Sequence, residues 1–283
     1  LKHKIFAFNV ESIQELEVIN ELAGQIGEKA NVSLRINPNV DAHTHHYITT
    51  GLDENKFGVP NSELEKAAAI IKICEHINLI GLHFHIGSQI TDLGVFKSLC
   101  VKVNEWKNFF QERGTYIKVI NVGGGLGVDY KNPDGNPMPD FEAYFDIFDK
   151  FLERTAQHEV HFELGRALVA QCGTLVSKVL YTKSGLKKNF LILDAGMTEL
   201  SQDIMRTIDK IEKIGELEAG TQYLNYDVVG PICESSDSFG KEVELPVSKR
   251  GDLIAIRTAG AYGEVMASRY NLRNEIRHFF KTK

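Results

Sequence analysis

The chain has 283 residues, 43% hydrophobic and 25% charged, with a formal net charge of −6. That balance describes an ordinary globular chain of one large or two moderate domains, and it excludes a disordered one. A net-negative chain offers no basic face to nucleic acid, and no apolar run approaches the ~20 residues of a membrane span.

With no signal-like segment ahead of the first apolar run, a protein without a secretory leader is expected. Cys74, Cys100, Cys172 and Cys233 stand far apart without a Cys-x-x-Cys pair. Free thiols in a reducing, cytoplasmic setting are therefore expected, not a zinc site or a disulfide framework. The chain opens on Leu1 with no Met, so its true start is expected upstream.

In chain order, residues 5–10 form a short apolar run. Ser12 with Glu15 three residues on is a capping-box pattern, and Ile13, Leu16, Val18, Ile19 and Leu22 follow at roughly helical spacing. Residues 32–36 read as a strand, 62–73 as a helix, 79–86 as a strand, 96–110 as a helix and 116–122 as a strand ending in glycines. A helix over 141–152 and a strand over 160–163 follow. This β-α alternation predicts parallel strands with helices outside, in a barrel or a doubly wound sheet. After about Gly173 the rhythm changes. Residues 174–181, 189–193, 226–229 and 252–258 read as strands with short, glycine-bearing connections, and a charged, helix-like stretch over 201–214 interrupts them. A second, mainly β domain is expected, with the boundary between 172 and 173.

Five clusters carry potential chemistry, four of them at predicted strand ends, where parallel α/β folds place their sites. In Gly81-Leu-His83-Phe-His85-Ile-Gly87-Ser88, alternation puts both histidines on one strand face. They suit a packed pair, a metal pair, or an aromatic platform under a planar cofactor with Ser88 free to bond a phosphate. Asn121-Val-Gly123-Gly124-Gly125-Leu-Gly127 exposes backbone N–H groups able to cradle a phosphate, although Val128 breaks the dinucleotide fingerprint. In His161-Phe-Glu163-Leu-Gly165-Arg166 the carboxylate and guanidinium can pair with each other, or divide the binding of a ring nitrogen and an anion between them. Gly230-Pro-Ile-Cys233-Glu234-Ser-Ser236-Asp237 is a polar loop after a strand, and Gly260-Ala-Tyr262-Gly263 frames a hydroxyl with small residues. Each alone also has a plain structural explanation; their joint order is more specific.

In that order the clusters resemble the fold-type III, alanine-racemase-like decarboxylases that use pyridoxal 5'-phosphate (PLP), and most of all the diaminopimelate decarboxylase branch. Ile36-Asn-Pro38, Glu54-Asn-Lys56-Phe57-Gly58, Asp194-Ala-Gly-Met197 and Cys233-Glu-Ser-Ser-Asp237 add to the resemblance. It implies an α/β chain in which a partial (β/α)8 PLP-binding barrel, about five of its eight strands, spans 1–172. A C-terminal β-sandwich-like domain with substrate and dimer loops spans 173–283. It further implies decarboxylation of meso-2,6-diaminopimelate to L-lysine by a homodimer with shared active sites, with no metal. His85 would stack on the cofactor ring. Ser88, Gly123, Gly124, Gly125 and Tyr262 would hold its phosphate, and Tyr262 would also touch substrate. Glu163 would face the pyridine nitrogen and Arg166 a substrate carboxylate. From the partner subunit, Cys233 would supply a proton and Glu234 would read the distal ammonium.

Two features depart from the family pattern. Its cofactor lysine, in a Tyr-Ala-x-Lys-Ala-Asn setting, is expected upstream of Leu1, and these 283 residues lack that motif. After Leu200 the family's Arg-Pro-x-Leu-Tyr is replaced by Ser201-Gln-Asp-Ile-Met-Arg206. This polypeptide by itself is thus expected to be inactive. The alternatives are a catalytically degenerate PLP-barrel homologue acting as a binding or regulatory partner, and a metal-dependent barrel hydrolase using His83 and His85.

Overall fold

The computed structural model of the chain describes residues 1–40, 56–216 and 218–280. The start of the Glu54-Asn-Lys-Phe-Gly58 motif lies outside them. The chain divides into two compact units: Leu1–Gly127 with Asp140–Gly165, and Val128–Pro139 with everything from Arg166 on.

The first unit alternates strand and helix: β1 (Phe8–Val10), α1 (Ile13–Gln25), β2 (Ala30–Arg35), α2 (Leu64–Ile73), β3 (Ile77–His83), α3 (Gly94–Glu112), β4 (Val119–Asn121), α4 (Phe141–Phe151) and β5 (Glu159–His161). The five strands form one parallel sheet in sequence order, β1-β2-β3-β4-β5. This is the expected five-strand portion of a (β/α)8 barrel. Among the described residues β1 and β5 each have one neighbour, so each carries an unpaired edge.

Local chemistry sets these elements. Ser12 caps α1 by accepting the Glu15 N–H (3.1 Å), while the Glu15 carboxylate accepts the N–H of Glu11 (2.8 Å). The reciprocal half of the capping box has thus moved one residue back. Asp140 caps α4 the same way, accepting Ala143 N–H at 2.9 Å. Strand residues Val32, Leu34, Leu82 and Ile120, and Val122 just past β4, are fully buried, each adding about 1.5–3 kcal/mol by leaving water. Helices α3 and α4 meet over an aromatic cluster, with Phe96 edge-on to Tyr144 at 4.9 Å and Phe148 edge-on to Phe162 at 5.2 Å. The Tyr144 hydroxyl is buried there without a hydrogen-bonding partner among the described residues, and burial pushes its pKa up.

The second unit is built on six strands: β6 (Leu175–Ser184), β7 (Asn189–Leu193), β8 (Ile211–Lys213), β9 (Tyr223–Val229), β10 (Ser238–Pro246) and β11 (Leu253–Ile256). Their order is β10-β9-β7-β6-β11-β8, antiparallel except for β7–β9. Two short helices, α5 (Arg166–Val169) and α6 (Gln202–Met205), complete the named elements. The expected helix-like stretch over 201–214 is corrected: only its first turn is helical, and its end is strand β8, paired with β11. Strand β10 was not foreseen. Val128 and Tyr130, from the excursion between β4 and α4, join the core of Val179, Leu191, Leu193 and Ile254. Arg257 ties that excursion down, bonding Glu212 at 2.6 Å and Asp134 at 2.7 Å.

Candidate functional site

In the first unit, the segments that follow β3, β4 and β5 lie side by side and continue the ladder beyond the strands. Phe84 N–H donates to Asn121 O (2.8 Å), Val122 N–H to His161 O (3.0 Å) and Glu163 N–H to Gly123 O (2.8 Å). This close approach is what requires the glycines. A Cβ on Gly123, at φ +72°, would stand 2.3 Å from the Phe84 carbonyl oxygen; one on Gly124 would stand 2.3 Å from that of Glu163. A Cβ on Gly125, at φ +106°, would stand 2.6 Å from the Gly87 carbonyl oxygen.

Glu163 is the centre of this arrangement. His83 Nε2 lies 3.1 Å from its Oε2, and Asn121 Nδ2 donates to its Oε1 at 2.8 Å, with Asn9 Nδ2 at 3.4 Å. The hydrogen bond from His83, then the one from Asn121, holds the carboxyl at a pKa of about 2 against the cost of partial burial. The side chain is still 44% exposed, so an ionised acceptor faces open space. Four lone-pair positions and three donors leave room for another N–H. The other ring nitrogen of His83, Nδ1, is buried without a hydrogen-bonding partner among the described residues.

β3 closes at His83, and His85 stands in the segment that continues its ladder, between the fully buried Phe84 and Ile86. The Gly124 N–H donates to His85 Nδ1 at 3.3 Å, which puts the ring proton on Nε2. Burial first, and Arg35 second, lower its pKa to about 4, so the imidazole is neutral at physiological pH. Gly123 N–H donates to Asn121 Oδ1 (2.9 Å). Two of the three glycine amides are thus engaged within the site, and only Gly125 N–H has no bond among the described residues. Ser88 stands in the bend after β3, half-buried.

The remaining candidates lie in the second unit. Arg166 is buried at the start of α5; its guanidinium donates to the Tyr130 hydroxyl and stands 5.3 Å from the centre of the Tyr262 ring. Tyr262 holds a left-handed backbone, φ +63°. Cys233 is an exposed free thiol, and Glu234 accepts the Tyr270 hydroxyl proton at 3.0 Å. Arg206 pairs with Asp203 at 3.6 Å. Sequence reasoning gave no role to Asn9, Asn121 or Asp237. Among the described residues no group of three His, Cys, Asp or Glu side chains is placed to hold a metal, and no helix is long and apolar enough to cross a membrane.

The donor set fits a phosphorylated pyridine. An ionised carboxylate suits a pyridinium N–H, a neutral flat imidazole can cover an electron-poor ring without repelling it, and an unengaged amide suits a phosphate oxygen. A parallel β/α sheet carrying this set at its C-terminal strand ends defines a PLP barrel. A family model described as "Pyridoxal-dependent decarboxylase, pyridoxal binding domain" matches residues 1–170. A diaminopimelate decarboxylase of Bacteroides thetaiotaomicron is 54% identical over 96% of this chain and 70% of its own length. One of Aquifex aeolicus is 38% identical over 95% of this chain and 63% of its own. In structure, a point mutant of Helicobacter pylori diaminopimelate decarboxylase complexed with L-lysine matches at a TM-score of 0.88 and 39% identity, covering 97% of this chain and 68% of that one. The chain belongs to the pyridoxal-dependent decarboxylases, in the diaminopimelate decarboxylase branch. It spans roughly two thirds of the length of these relatives.

Proposed function

We propose that these residues are the larger part of an enzyme that removes CO2 from meso-2,6-diaminopimelate with PLP, giving L-lysine. The observation that carries the reading is Glu163: a carboxylate kept ionised by His83 and Asn121, yet open on one side, beside a neutral His85. Bound there, the cofactor supplies the electron sink for the pair left when CO2 departs.

The chain's own residues do the rest. Glu163 holds a proton at the pyridine nitrogen. His85 covers one ring face and keeps water off it. Ser88, the Gly123–Gly125 turn and Tyr262 hold the phosphate, with Gly125 N–H the amide left without a bond among the described residues. Arg166 binds a substrate carboxylate. In a dimer with shared sites, Cys233 delivers a proton to the reacting carbon and Glu234 reads the distal ammonium.

The test is release of labelled CO2 and formation of L-lysine by the full-length protein with PLP. Activity that Glu163→Gln abolishes supports the reading; an inert full-length protein overturns it. The 283-residue polypeptide alone, without a lysine in the family setting, is expected to hold PLP only non-covalently and to release no CO2. A band near ~420 nm that survives dialysis would contradict this.

A second reading, a catalytically degenerate partner, is favoured by Ser201–Arg206, where Arg206 turns to Asp203. Complementation of a lysine auxotroph by the complete reading frame separates the two.

A further inference from the structure

We propose that Asp237 is a positioning residue: a buried carboxylate that clamps the loop bearing Cys233 and Glu234 and so sets where those two groups stand. The roles of Cys233 and Glu234 rest on the reading above; the clamp does not.

Asp237 is 3% exposed. Its two oxygens are divided between two segments of the second unit. Oδ1 accepts the Met197 N–H at 2.7 Å, from the turn after β7, and Oδ2 accepts the Ile232 N–H at 2.7 Å, from the loop itself. The backbone closes around the same residue. Gly230 N–H donates to Asp237 O (3.0 Å), Asp237 N–H to Glu234 O (3.0 Å), and Glu234 N–H to Ile232 O (2.7 Å). From outside, Gln202 Nε2 donates to Ser236 Oγ at 2.6 Å. The Asp237 side chain thus ties the start of the loop 231–236 to the turn after β7, while the backbone of the same residue closes the loop's end.

Gly196 and Gly230 fit this account. Neither has a positive φ, so neither is demanded by its backbone conformation. A Cβ on Gly196 would stand 2.7 Å from an Asp237 carboxylate oxygen, and one on Gly230 would stand 2.3 Å from one. Both positions lack a side chain because the carboxylate occupies that space. Buried carboxylates are ordinarily neutralised by a cation; no ion pair of Asp237 occurs among the described residues, and backbone amides take that place. The charges acting on it are Glu199 and Arg273, which also pair with each other at 3.3 Å. A carboxylate with two amide donors is directional, as a positioning group needs to be.

The experiment uses the full-length enzyme with Asp237→Asn and Asp237→Glu. Asparagine keeps the volume and one acceptor but points an N–H₂ at a backbone N–H, releasing one end of the loop. Loss of one charge-assisted hydrogen bond changes a local equilibrium by about ten- to a hundredfold. The expected result for Asp237→Asn is a Cys233 alkylation rate changed about tenfold and kcat/KM for the diamino acid lowered by a similar factor, with PLP affinity unchanged; Asp237→Glu recovers part of both. Unchanged alkylation and unchanged kcat/KM overturn the clamp. A parent enzyme without decarboxylase activity whose Cys233 alkylation still responds to Asp237→Asn overturns the functional reading and leaves the clamp standing. Should the variants fail to fold, hydrogen exchange in the unsubstituted protein decides: Met197 and Ile232 amides are expected to be protected together, and a rapidly exchanging Ile232 amide overturns the proposal.

Discussion

Replacing His83 with leucine removes the donor that does most to lower the Glu163 pKa, at nearly constant buried volume. The carboxyl stands at about 2 in the structure against 4.5 for an unperturbed glutamate, with the His83 bond the largest cause and Asn121 a smaller one. A donor or opposite charge beside a carboxylate moves its pKa by about 1–3 units. With 44% of the side chain in water, screening selects the low end of that range, so His83→Leu is expected to raise the Glu163 pKa by about one unit. At neutral pH a carboxyl near ~3 is still fully ionised. Any loss of PLP affinity must then come from carboxylate orientation, not charge, and is expected to stay below about tenfold, less than one neutral hydrogen bond. His83→Gln, whose Nε2 reaches close to the imidazole Nε2, restores both. Carbon-13 NMR of the glutamate carboxyls, assigned with Glu163→Gln, reads the titration directly. A midpoint in His83→Leu identical to that of the parent refutes the reasoning, because it would mean that Asn121, or solvent, already does the work given to His83.

Three further outcomes follow from the same geometry. Tyr144→Phe removes a buried hydroxyl that has no partner among the described residues, so it is expected to leave stability unchanged or raise it by up to about 1 kcal/mol; a urea midpoint that falls speaks against an orphaned hydroxyl. Gly124→Ala forces a methyl toward the Glu163 carbonyl at 2.3 Å and is expected to cost about 1–3 kcal/mol, read as a lower midpoint at constant m-value. His85 binds its proton at about 4 in the folded state and at 6.5 when unperturbed, so the unfolded chain takes up a proton first as pH falls. Stability is therefore expected to drop between pH 6.5 and 4 by about 3 kcal/mol, and that part of the decline disappears in His85→Leu.

How far the sequence carries the fold depends on where local pattern and tertiary role agree. The Ser12–Glu15 cap, the five parallel strands and the strand over Asn189–Leu193 were legible because each announces itself within a few residues. Ile204, Ile208 and Ile211 have helical spacing and are all buried, yet the helix stops at Met205. Thr207 turns its hydroxyl onto Ile204 O at 2.7 Å, and Ile211 enters the same core from a strand. Strand β10 was hidden because its register slips around Gly240 and Val243 and Glu242 adopts φ +53°, which breaks the alternation that marks a strand. In the candidate site, types were readable but partners were not. Nothing in spacing links Asn9 to a carboxylate 154 residues away, and nothing before the coordinates distinguishes Asp237 from a solvated acidic residue in a turn.

The excursion at Val128–Pro139 has a consequence for how such a chain can be made and cut. The polypeptide passes between its two units three times, after Gly127, after Pro139 and after Gly165. No single nick liberates either unit, and a gene truncated at Gly165 leaves Val128 and Tyr130 exposed without Leu191, Leu193 and Ile254 to receive them. Strand β11, through Ile254, thus completes a core whose first contribution, Val128, stands long before it in the chain.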